Sequence, residues 1–397
     1  MLELRPMLSA MLRNKVGPIL IILQLALTLA IVANAAFIIV ERLALMKLPS
    51  GVAESEVLSF TVIENDPSIN IGNQRRADIE SLKAIPGVIS ASAVNQIPLS
   101  DSGNSSSLMR SEEAHETEAN VAHYWGDINQ VSALGLKIIE GRDFTSDDFV
   151  DEGFPTSLII SKATADWFFP NGSAIGNTLY TSGRTLTVVG VVERLQSPWK
   201  EHRNTFMSLM LPMEMDTEKL TRFVVRAEAN QREAVLAQLS EVMLKRVRNR
   251  VVNQFETFDM TRKEAYAADN GMAKVLMAII VLLLIVTALG VVGLASYSVN
   301  QRRKQVGTRR ALGATHWQIL RFFLLENAML CLGGITIGCI AALSLSRWLA
   351  SHYQVTSLPL SYLVITALGL LVLGQLAVAS PAIRASRISP ALATRSI

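Results

Sequence analysis

Arg302, Arg303, Lys304, Arg309, Arg310 and Arg321 crowd the segment Gln301–Glu326, which has no acidic side chain before Glu326. Cations without local counter-charges do electrostatic rather than catalytic work: they hold a membrane loop on one side or meet an acidic partner. Ala311, Leu312, Thr315, Ile319, Phe322 and Phe323 recur in the same segment at spacings of three and four, which predicts a short amphipathic helix. Gly307 and Gly313 punctuate it, and Gly313 is a place for the helix to bend near its start. Leu312, His316 and Ile319 fall on or beside one stripe, so the stretch Gly307–Phe322 is expected to be a docking helix with Arg309 and Arg310 at its rim.

Other chemistry is missing. No Gly-x-x-x-x-Gly-Lys-Ser/Thr occurs, so these 397 residues hold no phosphate-cradling loop of that type. His-Glu-x-x-His and Gly-x-Ser-x-Gly are absent as well. His115, His123, His202, His316 and His352 are scattered and read as solvated loop residues, so neither a catalytic nor a metal site is expected. Cys331 and Cys339 lie together in one apolar run, where they act as small apolar side chains.

The elements that must position the basic segment are membrane spans. Half of the residues are hydrophobic while the net charge is only +3, so the distribution of charge says more than its total. Four apolar runs reach the ~20 residues needed to cross ~30 Å of hydrocarbon: Val16–Val40, Val275–Val299, Ala328–Leu349 (326–349 with Glu326 and Asn327 included) and Leu360–Ile383. The first follows Arg5, Arg13 and Lys15 and contains Ala33-Asn34-Ala35, as a cleaved signal would. It is too long for one, and reads as an anchor. The basic N-terminal segment 1–15, the loop 300–323 and the tail 384–397, with Arg384, Arg387 and Arg395, all belong on the cytoplasmic side by the positive-inside rule. Residues 41–272 then lie outside, as a folded domain. Gln24 and Thr28 in the first span, and the Gly334-x-x-x-Gly338 motif in the third, are candidates for close helix packing or a dimer contact. Spans without charged side chains in their central parts argue against an ion-coupled transporter.

The outer domain shows the order strand, helix, strand twice. Val57–Ile63, Gln74–Ala84 and Val88–Ala93 form the first set; Arg222–Ala227, Gln231–Val247 and Arg250–Phe258 form the second. These two β-α-β units predict a split α+β layer, with residues 97–215 inserted as a subdomain containing strands at Thr156–Ile160 and Thr185–Val192. Ser100–Ser111 reads as a mobile polar loop, dispensable for folding across Asn104–Ser107. Glu256–Ala273 reads as a polar helix running straight into the second span. The fold class expected is a membrane protein with four transmembrane α-helices and a large α+β extracytoplasmic domain between helices 1 and 2.

With these elements in place, QRRKQVGTRRALGATHWQILRFFLLE resembles the core motif of ABC-transporter permeases of the MacB/FtsX family. Asn95–Ser100 (NQIPLS), Glu140–Phe144 (EGRDF), Leu158–Thr178 and Val188–Val192 (VVGVV) resemble the MacB-like periplasmic core domain. The resemblance implies a non-catalytic permease subunit in which Arg309, Arg310, Leu312, Gly313, Ala314, His316, Ile319 and Phe322 contact a cytoplasmic ABC ATPase, and Glu326 ends the coupling helix. ATP and Mg would sit on that partner, with no cofactor bound here. It further implies mechanotransmission in a bacterial inner membrane, as a dimer with a second copy or a sister permease. A periplasmic adaptor and an outer-membrane duct would be further partners, the cargo would be peptides, antibiotics or other amphiphiles, and no nucleic acid would be bound. Lipoprotein release, or control of a periplasmic partner as a signalling module, are the alternatives. A fused ATPase and a second set of spans are missing from the pattern, and the outer domain is large for FtsX itself.

Overall fold

The structure, a computed structural model, describes residues 15–66, 68–111, 119–150, 153–181, 183–200, 204–213, 219–246, 250–353 and 356–387. Arg5, Arg13, His115, His202 and the tail beyond Arg387 lie outside the described residues. In chain order the first elements are α1 (Val16–Met46), β1 (Val57–Glu64), α2 (Ile71–Lys83), β2 (Val88–Val94), β3 (Ser105–Leu108) and β4 (Ala119–Gly126). Then follow α3 (Gln130–Leu134), β5 (Ile138–Gly141), β6 (Ser157–Ser161), α4 (Lys162–Phe168), β7 (Thr178–Thr181), β8 (Arg184–Val192) and β9 (Ser208–Pro212). The chain ends with β10 (Leu220–Ala227), α5 (Arg232–Arg246), β11 (Arg250–Thr257), α6 (Phe258–Ala265), α7 (Ala267–Gln301), α8 (Arg303–Ala311), α9 (His316–Tyr353) and α10 (Leu360–Ser386). These fall into two compact units, one of residues 48–268 and one of the chain on either side.

In the flanking unit α1, α7, α9 and α10 are each long and apolar enough to cross a membrane. All four extend beyond the apolar runs read from sequence, because polar residues at the ends continue the same helices. Leu25, Leu29 and Ala33 of α1 pack fully buried with Cys331 and Ala342 of α9 and Leu370 and Ala382 of α10.

In the outer unit, β1 and β2 both pair antiparallel with β10, and β1 also pairs with β11. Each β-α-β unit therefore brackets a strand of the other, giving the order β11-β1-β10-β2. Alternation decides which face is dry: Leu58, Phe60, Val62, Ala91, Ala93, Phe223 and Val225 point into one core beneath α2 and α5, where they meet Ile79, Leu82, Val235, Leu239 and Met243. Phe60 stacks on Phe223 at 5.3 Å. The inserted part continues the sheet as β4-β9-β6-β8-β5, with β3 on β4 and β7 on β8, around a second core that includes Leu158, Ile160, Leu186, Val188 and Leu209. The two halves join through the pair Val94–Gly126. A Cβ at Gly126 would stand 2.4 Å from the Ala93 carbonyl oxygen, so only glycine permits that approach.

Two secondary-structure expectations are corrected, and His123, read as a solvated loop residue, is instead buried on β4 at 8% exposure. Ser100–Ser111 is not a free loop: Ser105–Leu108 is β3, paired residue for residue with Ala119–Ala122, and Leu108 is fully buried. Its serines hide the strand because its sheet partner, rather than its own propensity, orders it. Nor is Glu256–Ala273 one helix. β11 runs to Thr257, Thr257 caps α6 through the Met260 amide, and the chain breaks at Tyr266 (φ −100°, ψ 9°) before α7.

Candidate functional site

Residues 302–326 form two helices and a turn rather than one docking helix. α8 ends at Leu312, Gly313 takes φ +96°, the Gly313 amide donates to the Arg310 carbonyl at 3.1 Å, and the Ala314 amide donates to the Arg309 carbonyl at 3.0 Å. This is a Schellman closure, which needs a left-handed residue directly after the helix cap; glycine supplies it without strain. Thr315 then opens the next helix. Its hydroxyl accepts from the Gln318 amide at 3.3 Å while the Gln318 side chain accepts from the Thr315 amide at 2.9 Å. The reciprocal pair is a capping box, legible in Thr315-His316-Trp317-Gln318 but absent from the sequence reading. From His316 the helix α9 runs unbroken into the third span.

The break re-sorts the expected residues. Leu312 and Ile319 do not share a stripe: Leu312 is 83% exposed in the turn, and Ile319 is 5% exposed in the bundle core with Val306 and Phe323. The periodic spacing had run across a chain reversal. Arg309 and Phe322 do come together, with the guanidinium 5.0 Å from the ring centroid. Arg310 Nη2 meets His316 Nε2 at 3.2 Å, and Arg310 Nη1 donates to the Ala314 carbonyl at 3.3 Å. His316 Nδ1 lies 2.5 Å from the Ser386 carbonyl, so with Nδ1 as donor the ring ties the turn to the end of α10. Glu326, buried at 8% exposure, receives Arg302 Nη1 at 2.9 Å and so joins the end of α7 to α9. Ser386 and the exposed Trp317 belong to this site and were not singled out from sequence, while Arg302 reads there only as one of the cations. The cleft between α8 and α9 encloses only about 80 Å³, well under the ~300 Å³ of ordinary small-molecule pockets. What the arrangement offers is a braced surface bearing an exposed leucine among cations, which suits a protein partner better than a small ligand.

The intramembrane candidates find their partners inside this chain. Gln24 Nε2 donates to the Val286 carbonyl at 3.0 Å, and the Thr28 and Thr287 hydroxyls stand 2.8 Å apart, so both bridge α1 to α7. Gly334 and Gly338 face α1: a Cβ at Gly338 would lie 3.0 Å from Ala26 Cα and from Leu29 Cβ. Asn34, another polar residue of the first span, and Asn327 are buried and donate to the Ala342 and Gly374 carbonyls at 3.1 and 3.0 Å.

Comparison with known families and proteins places these parts. The MacB-like periplasmic core domain matches residues 21–242, and the FtsX-like permease C-terminal domain matches residues 277–390. The macrolide export ATP-binding/permease protein MacB of Neisseria gonorrhoeae is 24% identical over 316 residues, covering 76% of this chain and 47% of that protein. The ABC transporter permease YknZ of Bacillus subtilis is 26% identical over 271 residues, 66% of this chain and 63% of the relative. The chain thus spans about half the length of the MacB protein it matches. The crystal structure of the periplasmic region of MacB from Actinobacillus actinomycetemcomitans aligns at 16% identity with a TM-score of 0.34, over 56% of this chain and 97% of that one.

Proposed function

This chain belongs to the MacB/FtsX-like family of ABC transporter permeases, and from that premise we propose that it is the membrane subunit of an ATP-driven export complex. A separate ATPase docks on the turn after α8, and its cycle moves the outer unit rather than opening a path through the four helices. ATP and Mg are held by that ATPase. The complex works as a dimer, in a bacterial inner membrane with both termini cytoplasmic. Its cargo is an amphiphile such as a peptide or antibiotic, handed on through an adaptor and an outer-membrane duct.

The observation that carries the docking step is Leu312. Among the described residues it is the most exposed large hydrophobic side chain, and Arg309, Arg310 and Gly313 flank it in sequence. An apolar side chain offered beside cations is the composition of an anchor with a charged rim: truncating such an anchor costs about 2 kcal/mol or more, whereas rim charges mainly set encounter rate. The helices support the mechanical part of the reading. No Asp, Glu, Lys or Arg interrupts the middle of any span, and α1 and α9 approach to glycine contact. Replacing Leu312 with Asp is the test. The expected protein inserts and folds normally, yet fails to retain its ATPase on purification and fails to export. Native co-purification of the variant with the ATPase rejects the docking role.

A further inference from the structure

Behind the dry face of the β11-β1-β10-β2 layer lies its other face, and that face is polar. Ser59 and Thr61 on β1 and Arg222 on β10 alternate with the core residues Phe60 and Phe223, and Thr61 stands directly opposite Arg222. Over them opens a cavity of about 500 Å³, closed at the sides by the loop around Leu99, by Pro198 and Lys200, and by α6 through Thr261 and Ala265. That volume falls within the ~300–1,000 Å³ of small-molecule sites.

Two independent features mark this cavity off from an ordinary surface dent. The first is strain. Among the described residues three non-glycine side chains hold left-handed backbone, Leu99 (φ 65°), Asp101 (φ 55°) and Gln254 (φ 56°), and all three line it. Gln254 lies where β11 carries one residue more than β1, between the pairs Ser59–Glu256 and Thr61–Asn253. Residues held this way are strained and persist only where the surroundings enforce them, typically at functional sites. Enforcement is visible here. Leu99 and Asp101 donate through their amides to the Ser197 and Pro198 carbonyls, Ser100 Oγ donates to the Ile97 carbonyl at 2.7 Å, and Thr61 Oγ1 donates to Gln254 Oε1 at 3.1 Å.

The second feature is Arg222. Its guanidinium is half-buried, and Nη1 donates to the Asn95 carbonyl at 3.2 Å. It makes no other hydrogen bond and no ion pair among the described residues. Burial pulls its pKa below the ordinary arginine value, and the charge of Glu256 pushes it back up. Glu256 does not close on it; one carboxylate oxygen of Glu256 accepts from the Thr261 hydroxyl at 3.1 Å. A guanidinium has five N–H donors in a planar fork that fits a carboxylate or phosphate oxygen pair. Most of that fork is unspent at the floor of a walled cavity, with Ile97, Leu99, Pro198 and Ala265 supplying an apolar side.

We propose that this cavity is a binding site for a small amphiphilic anion, whose carboxylate or phosphate is held by Arg222 and whose apolar body rests against Leu99, Pro198 and Ala265. The site belongs to the outer unit alone and stands whether or not the ATPase docks at Leu312.

The full-length protein in lipid nanodiscs tests it, with dansylglycine as the fluorescent probe, its neutral amide as control and empty nanodiscs as background. Dansylglycine is expected to bind at least tenfold more tightly than dansylglycinamide, and Arg222→Gln is expected to remove that preference. Ala265→Phe, on a half-exposed helix position, fills the cavity without touching the charge and is expected to abolish binding of both. Hexanoate and hexyl phosphate are then compared as competitors: displacement by the first alone assigns a carboxylate ligand, and by the second alone a phosphate. The proposal is overturned if dansylglycine binds no better than to empty nanodiscs, if either folded variant binds it like the wild type, or if hexanol displaces it as well as both anions do.

Discussion

Lowering the pH should loosen the inserted half of the outer unit through one residue, His123. The side chain sits on β4 at 8% exposure, its Nδ1 is 2.6 Å from Ser106 Oγ of β3, and its buried Nε2 has no hydrogen-bond partner among the described residues. Desolvation holds its pKa down at about 4, against 6.5 for the free side chain. As the pH falls the unfolded chain therefore takes the proton first, so the stability His123 allows is fully present above pH 6.5 and drains away between 6.5 and about 4. At ~1.36 kcal/mol per pH unit, a drop from pH 7.5 to 5 crosses about 1.5 units of that window and costs about 2 kcal/mol. Burial raises the Glu64, Asp127 and Asp143 carboxyls, and their contributions run the opposite way, so the comparison must be made against a variant. Hydrogen exchange of the β3–β4 amides in the detergent-solubilised protein, corrected for intrinsic rates, is the assay. Wild type should lose about 2 kcal/mol of protection between the two pH values, and His123→Gln should stay flat or rise. Equal losses in both proteins would refute the assignment to His123.

Two further outcomes follow from packing and charge. Gly338→Val places a side chain against the Ala26 backbone and Leu29 Cβ, at 3.0 Å from its first carbon, and overpacking of this kind should cost about 1–3 kcal/mol, read as a lower melting temperature in detergent; an unchanged melting temperature would mean that α1 and α9 do not pack there. Arg250→Met leaves Glu64 and Asp78 buried without the guanidinium that contacts both, at 3.0 and 2.9 Å, and should destabilise the outer unit by about 3–5 kcal/mol, most of it recovered by adding Glu64→Gln and Asp78→Asn; denaturant unfolding of the single and triple variants checks this.

The membrane helices and both β-α-β units were legible because each is written in one periodicity: ~20 apolar residues for a span, alternation for Val57–Ile63 and Arg222–Ala227. What escaped was written elsewhere in the chain. Ser105–Leu108 is a strand because β4 pairs with it, and the five residues of Ser208–Pro212, all buried, are too few to distinguish strand from helix. Arg250 reads only as the start of a strand, and its ion pairs with Glu64 and Asp78 exist because the fold sets those carboxylates beside it. At the candidate site the cations and Leu312 were visible, and Gly313 reads as a bend within one helix where it in fact ends α8. The helical spacing nonetheless joined Leu312 to Ile319, because periodicity alone cannot see that Gly313 and Thr315 end one helix and begin another. The Arg222 cavity had no sequence signature beyond the NQIPLS stretch, since its members come from five separate segments.

The central claim is that an ATPase seats on the turn between α8 and α9. The most direct measurement puts a photo-crosslinking amino acid at position 312 in the intact cell, and in a second strain at position 319. The ATPase account predicts one dominant adduct from position 312, identified by mass spectrometry as an ABC ATPase, and none from the buried position 319. Absence of that adduct at position 312, in cells where the protein is inserted and folded, would contradict it.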